Sequence, residues 1–139
     1  MSTYSKPLPD LTDPLTAPFW QATREGTLLV QKCGECGYLR WPPGPVCTEC
    51  QTTGGVWTPV GPAGVLYSYA EYHRALAPAF KDEVPYAVGL IELDDGPRMY
   101  GALVGLARTE DIGQRVHAVF DPVTPEVTLV KWQLSGARS

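Results

Sequence analysis

Histidine is scarce in this chain, with only His73 and His117, and basic side chains are few, with 11 Lys and Arg against 15 Asp and Glu. The first shortage argues against an active site of its own. His117 lies inside a strand pattern and reads as a structural or surface residue. His73 stands at a strand end, where a histidine is ordinarily hydrogen-bonded in place. No G-x-S-x-G elbow, P-loop, G-x-G-x-x-G or H-E-x-x-H occurs. The acidic pairs Asp82-Glu83, Asp94-Asp95 and Glu110-Asp111 fall in turn-like stretches, where solvated carboxylates are the ordinary outcome.

The second shortage leaves a net charge of −4, without the broad positive field that supplies non-specific nucleic-acid affinity. Long apolar runs are also missing, and none approaches the roughly 18 residues that span a bilayer. The opening stretch MSTYSKPLPDLTDP has no apolar signal region, so a cytoplasmic, reducing setting is expected.

What the chain does have is turn formers and apolar residues. Gly and Pro number 14 each and hydrophobic residues make up 44%, which suits short strands joined by many turns around a packed core. Three units are expected. Residues 1–26 form a loose arm and a short helix, capped by Thr16, with Pro18 in its first turn and Gly26 as its stop. Phe19, Trp20 and Thr23 share roughly one face of it. Residues 27–59 hold the cysteines, and residues 60–139 are strand-like throughout. Gly64–Tyr72, Tyr86–Leu93, Arg98–Val104, Arg115–Phe120 and Val127–Trp132 alternate or are β-branched, and one long connection separates the first two. Five strands in that arrangement match a small closed barrel of the OB type. The fold class is therefore mainly β: a short N-terminal helix, a rubredoxin-like zinc ribbon and a five-stranded OB-fold barrel.

All four cysteines lie within 18 residues, as Cys33-Gly-Glu-Cys36 and Cys47-Thr-Glu-Cys50. Two C-x2-C turns, ten residues apart, can aim four sulfurs at one point, with Gly34 and Gly37 easing the turn. One structural zinc ion per chain is the expected ligand. Iron shares the same tetrahedral sulfur preference, and a redox dithiol pair is the remaining reading. The sharing of all four cysteines by a metal leaves no spare thiol nucleophile. A segment of this size has almost no core of its own, so the metal should stabilise it.

Other candidates are softer. Phe19, Trp20, Tyr38 and Trp41 look exposed and suit a protein interface, with the stiff Pro42-Pro43 presenting Trp41. Trp41 also suits a small core for the ribbon. His73 and Arg74 occupy a loop rim and are the best polar candidates for a ligand. Arg74, Lys81, Arg98 and Arg108 are plausible phosphate contacts that no motif groups together.

In their order, Phe19-Trp20, the two cysteine pairs, Gly64-Val65-Leu66-Tyr67-Ser68, His73-Arg74, Val84-Pro85-Tyr86 and Glu92-Leu93-Asp94-Asp95-Gly96-Pro97-Arg98 resemble the zinc-ribbon/OB-fold family catalogued as domain of unknown function number thirty-five. Arg40-Trp41-Pro42-Pro43-Gly44-Pro45-Val46-Cys47 is close to that family's Arg-aromatic-Pro-Pro-Arg-x-x-Cys, with Gly44 where an Arg is common. The resemblance covers roughly residues 15–132. It implies a non-catalytic subunit of thiolase-superfamily enzymes that make or break carbon–carbon bonds in acyl-CoA thioesters, including lipid-transfer-protein-like aldolases of steroid side-chain catabolism. The helix and ribbon would then contact the partner in a hetero-oligomer, and the barrel could guide the CoA ester through His73 and Arg74. Two rivals stand beside it. One is a single-strand nucleic-acid module stacking bases on Tyr67, Tyr69 and Tyr100. The other is a free-standing acyl-CoA hydratase or thioesterase acting through His73.

Overall fold

The computed structural model describes residues 8–75 and 78–135. The first seven residues of the expected arm lie outside that range. Helix α1 (Ala17–Thr23) carries Pro18 in its first turn, and the turn that follows it closes at Gly26, which has a φ of +76°. Thr16 stands at the N-cap position, but its side chain makes no capping bond. The reason is local. Pro18 has no N–H to give, and the Phe19 N–H is already bonded to the Thr16 carbonyl at 3.0 Å. Asp13 organises the approach instead, its carboxylate accepting the Leu15 N–H at 3.0 Å. The buried face is Phe19, Ala22 and Thr23, three and four residues apart, and Trp20 at its edge is half-buried against the same core.

A three-stranded antiparallel sheet follows, in the order β2-β1-β3, from β1 (Leu28–Lys32), β2 (Leu39–Arg40) and β3 (Val56–Val60). The five remaining strands are β4 (Ala63–Tyr72), β5 (Tyr86–Leu93), β6 (Arg98–Leu103), β7 (Arg115–Pro122) and β8 (Thr128–Leu134). They close a barrel in the order β4-β5-β6-β8-β7, with β6 and β8 parallel and the other pairs antiparallel. This is the OB topology, and each expected strand lies within a residue or two of its observed span. In β5 burial alternates along the strand, with Ala87, Gly89, Ile91 and Leu93 facing inward. A register shift between Leu66 and Ser68 bulges β4 and sets Tyr67 on the outer surface.

Leu66, Ile91, Leu93, Met99, Val116 and Trp132 fill the barrel, and Phe19, Leu28 and Val30 join the same continuous cluster. The helix and the first half of β1 are therefore seated on the barrel core. Trp132 is fully buried, and it fits because Gly101 opposite has no side chain. A Cβ there would stand 2.5 Å from the indole Cδ1.

Candidate metal centre and flanking surfaces

Strand β1 delivers Cys33 at its end, and the chain turns through Cys36 into β2. The Cys33 N–H donates to the Tyr38 carbonyl at 2.9 Å, and the Gly37 N–H donates back to the Cys33 carbonyl at 3.0 Å. The second turn repeats this pattern. The Cys47 N–H donates to the Thr52 carbonyl at 2.9 Å and the Gln51 N–H to the Cys47 carbonyl at 2.9 Å. Gly37 (φ +76°) and Gln51 (φ +62°) hold the left-handed position after the second cysteine of each pair. Gly34 is not in that conformation, so the conformational need falls one residue after each pair, and in the second turn a glutamine meets it.

The four sulfurs lie within 4.8 Å of one another, with Cys33–Cys50 at 3.5 Å and Cys36–Cys47 at 3.7 Å. A tetrahedral shell with metal–sulfur bonds of about 2.3 Å has sulfur–sulfur edges of roughly 3.8 Å, so the donor set fits a four-thiolate ion. Cys33 and Cys47 are buried, while Cys36 and Cys50 face solvent. At the first cysteine of each pair, backbone N–H groups favour the thiolate. The Cys36 and Glu35 N–H groups lower Cys33 to about 6, and the Cys50 N–H leads the lowering of Cys47, with Glu49 assisting. Cys36 accepts from the Tyr38 N–H, which lowers it, yet partial loss of water around its sulfur and the neighbouring sulfurs push it up to about 12. Without a cation, four adjacent thiolates repel one another, and a divalent metal removes that conflict.

Beside the ribbon, Phe19 is 3% exposed, which corrects the expectation that it faces solvent. Its ring meets Trp20 edge-on at 4.9 Å and Trp41 at 4.5 Å. Trp20 and Trp41 are half-buried and Tyr38 is exposed. Phe19 thus supports two larger rings from beneath.

At the barrel, His73 is exposed and its Nε2 lies 2.7 Å from Glu71 Oε2. Arg74 follows it into the connection between β4 and β5. A cavity of about 730 Å³ is lined by that connection and by residues of β5, β6 and β8, chiefly Tyr72, Phe80, Tyr86, Val88, Leu103 and Leu129. His73 and Arg74 do not line it. The Tyr72 and Tyr86 rings stack at 5.0 Å and Phe80 meets Tyr86 at 5.4 Å. Lys131 lines the cavity too and is paired with Asp121 at 2.6 Å. This cluster was missed in sequence, although aromatics at both ends of the long connection were a usable signal. Arg98 and Arg108 are held by Glu92 and Glu110, respectively. Tyr67, one of the proposed stacking rings, is covered by the Arg98 guanidinium at 3.9 Å. His117 Nδ1 lies 3.0 Å from Ser135 Oγ at the surface.

Two family models match the chain. The rubredoxin-like zinc ribbon domain of ChsH2 matches residues 20–54, and the C-terminal OB-fold domain of ChsH2 matches residues 57–121. A DUF35 domain-containing scaffold protein of Methanocaldococcus jannaschii is 31% identical over 115 residues, covering 79% of each chain. The chain belongs to the DUF35 family. Among solved structures, the Ltp2-ChsH2(DUF35) aldolase contains a chain that matches with a TM-score of 0.78 and 32% identity, covering 94% of this chain and 100% of that one. The "Probable enoyl-CoA hydratase alpha subunit" of Thermomonospora curvata is 40% identical over 115 residues, 80% of this chain and 35% of the relative. The 3-oxo-4,17-pregnadiene-20-carboxyl-CoA hydratase alpha subunit of Mycobacterium tuberculosis is 30% identical over 120 residues, 85% and 37%. This DUF35 chain thus spans about a third of the length of these two hydratase subunits. Among its described residues no helix is long and apolar enough to cross a membrane.

Proposed function

We propose that this DUF35 chain is a non-catalytic, zinc-binding accessory subunit of a thiolase-like acyl-CoA aldolase or thiolase. The partner would cleave or form carbon–carbon bonds in CoA thioesters, with steroid side-chain or other lipid catabolism as the setting. One observation carries this reading: the end-to-end correspondence with a chain of the Ltp2-ChsH2(DUF35) aldolase at 32% identity. The names of the two hydratase subunits add support for acyl-CoA as the substrate class.

In this reading Cys33, Cys36, Cys47 and Cys50 hold one zinc ion per chain. Four sulfur ligands leave no open position, so the ion acts as a structural cross-link. The arm and helix (1–26) and the ribbon (27–59) form the docking part, with Trp20, Tyr38 and Trp41 toward the partner and Phe19 behind them. The barrel (60–139) faces the acyl-CoA. Its apolar cavity suits the acyl portion, while His73 and Arg74 stand on the same connection, in reach of the polar part of the thioester.

Co-expression of this chain with the candidate aldolase should yield a stable hetero-oligomer whose activity falls when the chain is omitted. Separate elution of the two proteins, with an aldolase fully active alone, would overturn the proposal.

A further inference from the structure

Arg40 is 5% exposed, an unusual place for a guanidinium. Its Nε donates to Gln31 Oε1 at 2.9 Å, and its Nη2 donates to the carbonyls of Gly44 and Gly54 at 3.0 and 2.8 Å. Gln31 Oε1 also accepts the Gly44 N–H at 2.9 Å. Nη1 is buried without a hydrogen-bond partner. Among the described residues no carboxylate forms an ion pair with Arg40. A charge so placed is costly unless something balances it.

The topology shows what lies next to it. Arg40 on β2 stands directly opposite Gln31 on β1. Gln31 on β1 and Cys33 just past its end are two residues apart and both buried, on the side opposite Leu28 and Val30, so Arg40 is one step along the ladder from the first sulfur ligand. Gly44 and Gly54 bracket the second cysteine turn. Between them the Val46–Thr53 bridge and the bond from the Gly54 N–H to the Pro45 carbonyl, at 3.1 Å, close the hairpin that carries Cys47 and Cys50. One guanidinium therefore grips both legs of that hairpin and ties them to the strands that carry Cys33 and Cys36. Gly55 leaves the room this needs, since a Cβ there would lie 3.1 Å from Arg40 Nη2 and 3.2 Å from the Lys32 carbonyl oxygen.

We propose that Arg40 is a positioning residue of the metal centre, clamping the second cysteine hairpin onto the first and serving as the internal counter-charge of the loaded site. Four thiolates and one divalent ion carry a net −2, which supplies the compensation that no carboxylate provides. The inference rests on the zinc reading above and adds a role for a buried residue that is not itself a ligand.

The test uses the full chain, loaded with zinc and then stripped, as parent, Arg40→Lys and Arg40→Met. Zinc transfer to a chromophoric chelator is followed, together with thermal unfolding of both forms. Arg40→Met should lose zinc about 10–100-fold more readily than the parent, and Arg40→Lys, which keeps charge but not the fork, should fall between them. The midpoint lost in Arg40→Met should be large with zinc and absent without it, because in the stripped chain the cysteine hairpins are open and the clamp is not formed. A residue that only fills space would be replaced equally by Lys and Met, so equal zinc transfer from Arg40→Lys and Arg40→Met overturns the proposal. So does zinc retention in Arg40→Met within twofold of the parent. If Arg40→Met does not fold, Gly55→Ala crowds the same clamp and should speed zinc transfer several-fold. Parental rates in both Gly55→Ala and Arg40→Lys would then refute it. A parent chain that binds no divalent metal refutes the zinc reading itself and this inference with it, whereas a loaded parent with an indifferent Arg40 refutes only the latter.

Discussion

The ribbon and the barrel are neighbours in one chain, yet they are held by different means. The barrel closes its five strands around Leu66, Ile91, Leu93, Met99, Val116 and Trp132, and burial of large apolar side chains maintains it. The cysteine-bearing end of the ribbon has two short turns, a two-residue strand and an isolated bridge, with the four thiols and a buried arginine at its centre. Apolar burial is too small there to offset the chain entropy, so cross-linking has to do so. The border between the two regimes falls inside β1. Leu28 and Val30 belong to the barrel's cluster, and Cys33, three residues on, belongs to the metal site.

Removal of the metal should break this comparison most sharply. Structural zinc in small ribbons contributes on the order of 10–16 kcal/mol at neutral pH. Hydrogen exchange on metal-stripped protein should show Cys33–Gly55 unprotected, while α1, Leu28–Val30 and β5 keep their protection. Uniform loss of protection would mean that the border does not exist. Next in size, Trp132→Ala should destabilise the barrel by about 3–5 kcal/mol through the cavity it leaves, with metal content per folded chain unchanged. A chemical denaturation series with parallel metal assay checks both halves of that statement. Trp41→Ala should cost partner affinity by about 2 kcal/mol, as removal of an aromatic anchor does, with little change in barrel stability. Titration of the complex measures it, and unaltered affinity would remove Trp41 from the docking surface.

Acid gives the smallest and most graded contrast. Protons compete with metal for the thiolates, so the ribbon should open first as pH falls. In the barrel, two hydrogen bonds from Arg115 hold the Asp94 carboxyl below its ordinary value of 3.8. A lowered carboxylate contributes stability that is fully present above 3.8 and lost as pH falls through the lower folded value. Circular dichroism of the barrel should therefore respond at more acidic pH than metal release does. Simultaneous transitions would contradict this order.

Much of this was legible because its signals are local. Two C-x2-C pairs need only a few residues to express their geometry, and the period-two burial of Tyr86–Leu93 is written in consecutive side chains. The errors arose where a neighbour settled the matter. Thr16 lost its capping role to the missing N–H of Pro18 and the prior commitment of Phe19. Phe19 turned inward because Leu28, Val30 and the barrel core were there to receive it, which left Trp20 half-covered. The aromatic cavity stayed hidden because Tyr72 and Tyr86 meet only across the β4–β5 register.

By itself, then, the sequence determined the four-cysteine cluster, the five barrel strands and the mainly β class, since cysteine spacing and side-chain alternation act over a few residues. Only the tertiary structure decided the parallel closure of β6 on β8, the inward turn of Phe19 and the burial of Arg40 beside the thiolates. Each of these depends on groups brought together from distant parts of the chain, where packing and charge compensation overrule local preference.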